Sequence, residues 1–98
     1  MQIRMTEYQV PDPESGPYGI TVCANGRIWF TEQKGNRIGM LTESGDITEY
    51  TIPTESAGAS IITSGIDGEL WFTEYKAGKI GKITPQGKIT EYALPPGA

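Results

Sequence analysis

The sequence predicts an all-β fold of β-propeller blades, in which each blade is a four-stranded antiparallel sheet of one 42-residue repeat. The first observation is that IWFTE and LWFTE place Trp29 and Trp71 42 positions apart. The second is that TEY recurs at the same spacing, beginning at Thr6, Thr48 and Thr90. The third is that 13 glycines and 7 prolines among 98 residues favour frequent turns over long helices.

The turn signals divide the chain into eight predicted strands, four in each repeat. Asn25-Gly26 and Asp67-Gly68 separate runs rich in β-branched and aromatic residues, and they predict type I′ hairpin turns. Ser44-Gly45 and Gln86-Gly87 separate the later strands in the same way. Blade 1 therefore covers residues 11–52, with strands over 18–23, 27–32, 37–42 and 46–52. Blade 2 covers residues 53–98, with strands over 60–65, 69–74, 79–84 and 88–94.

The second strand of each predicted blade carries the aromatic residues. Ile28-Trp29-Phe30 and Leu70-Trp71-Phe72 are apolar three times in succession, which is typical of a strand covered on both faces. Blades of a propeller stack face to face, so one aromatic side chain should point to each neighbouring blade. We interpret Trp29, Phe30, Trp71 and Phe72 as structural core residues.

The first ten residues carry a third TEY word and predict one further outermost strand, over residues 1–10. Two blades alone would leave one face of each sheet bare, with Trp or Phe exposed over a large area. We therefore expect the chain to form a homo-oligomeric ring of three or four copies. One outer strand per copy is then redundant, so either the first ten or the last ten residues should be displaced, swapped or disordered.

Composition excludes several classes of function. A net charge of −4 without a basic stripe argues against nucleic acid as a partner. No apolar run is long enough to span a membrane, and the N-terminus lacks the apolar stretch of a signal peptide. The lone Cys23 indicates a reducing compartment, and we expect a cytoplasmic location. The chain has no histidine, the commonest general base near neutral pH.

The repeated acidic residues have a structural interpretation. Glu32 and Glu74 occupy equivalent sites in both repeats, and a residue that recurs with the repeat usually serves the blade. We expect their carboxylates to accept backbone amides of the following loop or to pair with Lys34 or Lys76. Glu49 lies on the outermost strand, where we expect it to face solvent.

The stretch SGPYGITVCANGRIWFTEQKGNRIGMLTESGDITEY resembles the blades of the virginiamycin B lyases, also called streptogramin B lyases. The repeated combination of IWFTE, IG and ITEY carries this resemblance along the whole chain. It implies a two-blade fragment of a much longer, seven-bladed propeller. It also implies an enzyme family that linearises cyclic streptogramin B antibiotics by Mg-dependent elimination.

The resemblance implies where a site would lie. Tyr18 and Ser60 match positions that contact substrate, and Glu32 and Glu74 match or lie near positions that hold Mg. Tyr18, Glu32 and Glu74 are thus the catalytic candidates, while Tyr18, Ser60, Glu32 and Glu74 are the ligand-binding ones. The histidine base of the family is missing, so we interpret the chain as a self-assembling propeller fragment without activity. The rival interpretations are a streptogramin B lyase and a module that binds a small-molecule ligand.

Overall fold

The computed structural model describes residues 5–95, which form two four-stranded antiparallel sheets with the strands in sequence order. The first sheet, blade 1, consists of β1 (Pro17–Val22), β2 (Ile28–Glu32), β3 (Arg37–Leu41) and β4 (Ile47–Thr51). The second, blade 2, consists of β5 (Ala59–Ser64), β6 (Leu70–Glu74), β7 (Lys79–Ile83) and β8 (Ile89–Ala93). All eight predicted strands are confirmed to within one residue at each end. No helix long and apolar enough to cross a membrane occurs in residues 5–95.

The two sheets repeat one another in register. Ile20 lies opposite Phe30 as Ile62 lies opposite Phe72, and the first strand pair of each sheet carries an irregularity at the same place. This agreement means that the 42-residue spacing in sequence corresponds to a repeat in space. Residues 42 positions apart can therefore be compared as structural equivalents.

The turns depart from the prediction of type I′ geometry. Gly26 and Gly68 have positive φ of 85° and 76°. Among residues 5–95 the non-glycine residues with positive φ are Asn36 and Ser56, so Asn25 and Asp67 do not have it. A type I′ turn needs two such residues, so the prediction for Asn25-Gly26 and Asp67-Gly68 is wrong. The amide of Cys23 donates to the carbonyl of Arg27 at 2.9 Å, which closes a three-residue loop ending in left-handed Gly26. Such loops suit strand twist through a bulge instead of a primed turn.

The hydrophobic core lies between the two blades. Trp29 and Ile38 from blade 1 and Ile62 and Phe72 from blade 2 are each at most 5% exposed and belong to one buried cluster. Trp29 thus points towards blade 2, and Phe72 points towards blade 1. The structure thus agrees with the prediction for Trp29 and Phe72, whereas Phe30 and Trp71 lie outside this cluster.

Close approach of the blades depends on Gly19. A β-carbon at this position would collide with the carbonyl oxygen of Ser60, so β1 can lie against β5 only because residue 19 has no side chain. The equivalent residue in blade 2 is Ile61, which is 61% exposed. Gly19 faces blade 2, and Ile20, which follows the irregularity in β1, points the other way.

Two sheet faces remain uncovered. The front face of blade 1 presents Ile20 and Val22, which are 71% and 61% exposed. The back face of blade 2 presents Ile61, Thr63 and the half-buried Trp71. The prediction of exposed Trp or Phe is wrong for Phe30, which is only 7% exposed, so most of the bare surface is aliphatic.

The structure describes only part of the predicted outer strand over residues 1–10. Residues 5–10 belong to no strand, and residues 1–4 lie outside the described part. Whether this segment pairs in an assembly stays a prediction. Residues 96–98, which we assigned to blade 2, also lie outside the described residues.

Candidate functional site

A cleft of about 630 Å³ opens where blade 1 meets blade 2. Its lining includes Tyr18 from β1, Ser60 and Ile61 from β5, and Thr73 and Glu74 from β6, together with Gln33, Tyr75 and Lys79. The cleft has both apolar walls and a few polar groups, as small-molecule sites do. The structure therefore brings together three of the four predicted site residues: Tyr18, Ser60 and Glu74.

Hydrogen bonds across the blade interface fix one wall of the cleft. The hydroxyl of Thr31 accepts from the amide of Gly19 at 2.8 Å and donates to the carbonyl of Ser60 at 2.8 Å. Nε2 of the Gln33 side chain donates to the hydroxyl of Ser60 at 3.2 Å. Thr31 is fully buried, so these bonds are protected from water. Ser60 is consequently a positioned residue, whereas Tyr18 is 64% exposed.

Glu74 borders this cleft but is fully buried, and neither of its carboxylate oxygens has a hydrogen-bond donor among the described residues. Burial, followed by the hydrogen bond with Glu91, raises the pKa of Glu74 to about 7, although the charge of Lys79 lowers it. Burial also acts to raise the pKa of Glu91, but its hydrogen bonds with Glu74 and Thr54 lower it below its ordinary value. The two carboxyl groups are satisfied together when Glu74 carries a proton and donates it to Glu91.

Glu32 sits in an equivalent pair in blade 1, but it has more partners. The hydroxyl of Ser15 donates to Oε2 of Glu32 at 2.8 Å, and Nε of Arg37 lies 3.5 Å from Oε1. Arg37 also lies 3.8 Å from Oε2 of Glu49. Burial and then Glu49 raise the pKa of Glu32 to about 7, against the lowering effects of Ser15 and Arg37. Glu32 does not line the cleft, so its predicted role in ligand binding lacks a contact surface here.

Two expectations about the acidic residues are wrong. Glu32 pairs with Arg37 instead of Lys34, because Arg37 is its direct partner across β2 and β3. Glu49 does not face solvent; its side chain is 16% exposed, and it shares a sheet face with Glu32 and Arg37. The period-two alternation of β4 could have shown this, since Thr48 and Tyr50 point to the face that Trp29 occupies.

The two pairs of carboxyl groups do not form a binding site for a divalent cation. No group of three or more His, Cys, Asp or Glu residues that could hold a metal occurs among residues 5–95. Each buried carboxyl pair instead faces a cationic side chain, and Nζ of Lys79 donates to Oγ1 of Thr54 at 2.8 Å. Mg²⁺ needs near-octahedral oxygen coordination with several waters, which a largely buried carboxyl pair beside an arginine or a lysine does not offer. The residues present do not fit the Mg²⁺ that the resemblance implies at Glu32 or Glu74.

Sequence reasoning missed the partners that decide the state of each glutamate. Ser15, Arg37 and Glu49 in blade 1, and Lys79 and Glu91 in blade 2, were not among the predicted site residues. The spacing of 42 was visible for Arg37 and Lys79 and for Glu49 and Glu91, which both stand in TEY. What spacing alone did not reveal is that the outermost strand turns its glutamate inward.

These features define a class of protein: two successive blades of a β-propeller, joined through a shared aromatic core. The family profile described as "Virginiamycin B lyase family" matches residues 1–98. The chain therefore belongs to the virginiamycin B lyase family.

Individual relatives agree with this assignment. The virginiamycin B lyase of Staphylococcus aureus is 52% identical over 47 residues, which are 48% of this chain and 16% of that protein. A crystal structure of catalytically inactive H270A virginiamycin B lyase from S. aureus with quinupristin superimposes with a TM-score of 0.90 at 52% identity. That match covers 95% of this chain and 32% of the other. A streptogramin B lyase structure gives a TM-score of 0.91 at 53% identity, covering 95% and 31%.

Proposed function

We propose that the chain is a self-assembling propeller module in which the back face of blade 2 in one copy covers the front face of blade 1 in the next. The observation that carries this proposal is the equivalence of the faces. The back face of blade 1 and the front face of blade 2 are already packed together in the single chain. The free faces carry the same strands, and their exposed Ile20 and Ile61 favour a partner that removes them from water.

A hydrogen-bonding group on the free back face also favours a neighbouring blade. Oγ1 of Thr73 accepts from the amide of Ile61 at 3.1 Å, as Oγ1 of its equivalent Thr31 accepts from Gly19. Thr31 further donates to the carbonyl of Ser60 in the next blade. The equivalent of Ser60 is Tyr18, so the carbonyl of Tyr18 in a second copy would face Thr73, at a distance that the β-carbon of Ile61 increases.

Charge complementarity favours a second copy as the occupant. Trp29 and Pro85 line one small cavity between the blades, and Lys82 stacks 5.6 Å from the centroid of the Trp71 ring. The equivalents of Trp29 and Pro85 are Trp71 and Glu43. If blade 2 of one copy packs on blade 1 of the next as the two blades pack within a chain, Glu43 of one copy comes close to Lys82 of the other. Opposite charges at this position steer the head-to-tail orientation.

Ile61 limits how closely the copies can approach. It replaces Gly19, whose missing side chain lets β1 contact β5. Copies should therefore be spaced more widely at this strand than the two blades within a chain. Three copies would give a ring of six blades and four a ring of eight, and either closed ring leaves no free face.

A charge-swap series tests the proposal by sedimentation velocity. Glu43→Lys and Lys82→Glu are each expected to lower the assembled fraction, because each places like charges across the contact. The double variant should restore it. Glu55→Lys, a reversal of an exposed charge in the connection between the two blades, serves as the control. Single variants that assemble like the unmodified chain, or a double variant that stays dissociated, would contradict this contact.

We further propose that the module has no lyase activity of its own. The chain has no histidine, and the relative described as catalytically inactive differs from its enzyme by replacement of a histidine. Incubation with quinupristin and Mg²⁺ should leave the compound cyclic, as judged by mass spectrometry. Linearised product that disappears in Glu74→Gln would contradict this.

The cleft favours ligand binding as a second candidate function. Tyr18 is exposed there beside the positioned Ser60, while the fully buried Glu74 offers no surface to a ligand. Titration calorimetry with quinupristin, the compound in the crystal structure of the relative, tests this candidate. Saturable binding that Tyr18→Ala weakens would support it, with Ile66→Ala, exposed and outside the cleft lining, as the control. No heat of binding would reject it for this compound.

A further inference from the structure

The N-terminal segment lies against blade 1 in a way that the sheet topology does not explain. Residues 5–10 pair with no strand in the described chain, yet a β-carbon at Gly45 would lie 3.3 Å from Cε1 of Tyr8. The ring of Tyr50 lies over the equivalent Gly87 of blade 2. Tyr8 and Tyr50 are themselves equivalents. Tyr8 therefore holds, relative to blade 1, the place that an outer-strand tyrosine of a preceding blade would hold.

The linker after this segment is anchored to blade 1. Arg37 donates to Oδ2 of Asp12 at 3.2 Å, and the amide of Ser15 donates to the carbonyl of Asp12 at 3.0 Å. The hydroxyl of Ser15 bonds in turn to buried Glu32. Pro11 and Pro13 restrict the backbone between the segment and these bonds. The segment is thus preorganised at the edge where a preceding blade would stand.

The opposite end of the chain is less firmly held. The side chain of Asn36 donates to the carbonyls of Ile52 and Thr54, and it accepts from the amide of Ala57, which fixes the chain leaving β4. The equivalent of Asn36 is Gly78, which has no side chain to hold the residues after β8. Tyr92 on β8 is 46% exposed.

We propose that residues 5–10 exchange between copies and form the outer strand of blade 2 in the neighbouring copy, pairing with its β7 in place of its own β8. This inference rests on the proposed assembly. The neighbour's Tyr92 would have to occupy the place on Gly45 that Tyr8 already holds, and both cannot lie there.

The exchange conserves the chemistry of the strand. Thr6, Glu7 and Tyr8 are the same residue types as the strand residues they replace, Thr90, Glu91 and Tyr92. The incoming Glu7 becomes the carboxyl partner of buried Glu74, and Tyr8 takes the position 6.0 Å from the Trp71 ring that Tyr92 has in the single chain. An added strand also supplies backbone hydrogen bonds between copies, as in β-strand addition and domain swapping.

Disulfide trapping tests the exchange. Lys79 lies opposite Ala93 in β7 and β8, and the residue equivalent to Ala93 is Gln9. On a Cys23→Ser background, Gln9→Cys with Lys79→Cys should form disulfides between chains, because opposed antiparallel residues lie within disulfide range. Ala93→Cys with Lys79→Cys is the matched control, which reports β8 in its intrachain position. Both proteins are first sized by light scattering and then compared on a non-reducing gel.

Three outcomes are distinct. Linked species of several chains from the Gln9 pair, with little crosslinking of the Ala93 pair, support the exchange. An assembled protein that crosslinks only through the Ala93 pair, within single chains, overturns the exchange and leaves the assembly intact. A protein that is monomeric at every concentration overturns both.

Substitution of the two tyrosines gives an independent measurement. Tyr8→Ala should raise the concentration at which the assembly dissociates about tenfold, because an anchoring aromatic is lost from the contact. Tyr92→Ala should change it much less. The reverse order would overturn the exchange.

Discussion

Blade 1 and blade 2 share strand registers but differ in how their equivalent side chains are supported. Trp29 is 1% exposed because blade 2 covers it, whereas Trp71 lies half-buried on the free back face. Glu32 has Ser15 and Arg37 as partners, whereas the equivalent of Ser15 in blade 2 is Ala57, and Glu74 receives no hydrogen bond from a described side-chain donor. The backbone geometry is therefore the same in both repeats, whereas the burial of a side chain and its charged partners depend on the residues packed around it.

This difference separates two kinds of requirement. The aromatic core needs a covering blade, and it is complete only where two blades meet. The buried carboxyl pair needs a proton or a cation, and blade 1 supplies more of these partners than blade 2 does. A second copy could cover the aromatic residues of blade 2. It would not supply the missing hydrogen-bond donor to Glu74, because that position is occupied by Ala57 of the same chain.

The largest expected effect comes from the tryptophans. Trp29→Ala should lower the free energy of unfolding by about 3–5 kcal/mol, the usual cost of truncating a large buried aromatic. Trp71→Ala should cost clearly less at concentrations where the chain is monomeric, and it should approach the cost of Trp29→Ala once the chain is assembled. Urea denaturation at low and high protein concentration measures both. Equal costs at low concentration would show that the back face is already covered in the monomer.

The buried carboxyl groups give the next effect, through pH. Because burial raises the pKa of Glu74 from its ordinary value of 4.5 to about 7, Glu74 holds a proton in the folded state, between these two pH values, that the unfolded chain releases. Its contribution to stability is therefore present at acid pH and is lost as pH rises from about 4.5 through 7. Glu74→Gln should leave stability at pH 5 nearly unchanged and raise it at pH 8 by about 1–2 kcal/mol.

Glu32→Gln is the matched control for this pH effect. It should raise stability at pH 8 by less than Glu74→Gln, because it also removes the ion pair with Arg37. Unfolding curves at both pH values measure the ordering. A larger gain from Glu32→Gln would contradict the difference between the two pairs.

The smallest effect concerns the connection between blades. Asn36 has a φ of 59°, which glycine also adopts, so Asn36→Gly removes the side-chain hydrogen bonds without straining the backbone. It should lower the free energy of unfolding by about 1 kcal/mol. Gly78→Asn, at the equivalent φ of 65°, should change it little, since no described atom lies within 4 Å of a β-carbon at this position. Thermal unfolding compares the two, and equal losses would contradict a role specific to Asn36.

Sequence reasoning predicted the architecture because the repeat is written in local signals. The spacing of Trp29 and Trp71, together with a glycine at each turn, gave eight strands and their order. The turn type was missed because Asn-Gly is compatible with both a primed turn and a bulged three-residue loop. The exposure of Phe30 was also misjudged, because the residues that cover one face of a sheet are not visible in the strand itself.

The site was less predictable than the fold. Tyr18, Ser60 and Glu74 do meet at one cleft, as their positions near strand ends suggested. The burial of Glu74 and the inward turn of Glu49 depend on packing between strands that are distant in sequence. Whether such a carboxyl group carries a proton depends on which donors reach it. A single difference between the repeats, such as Ala57 in place of the equivalent Ser15, changes these donors without altering the repeat.

The mass of the chain in solution tests the central claim most directly. We expect light scattering on a sizing column to give a single species of three or four times 10.6 kDa. This is the mass of a closed ring. A folded, cooperatively unfolding species of 10.6 kDa at all concentrations would contradict the account, because two blades would then tolerate their bare faces alone.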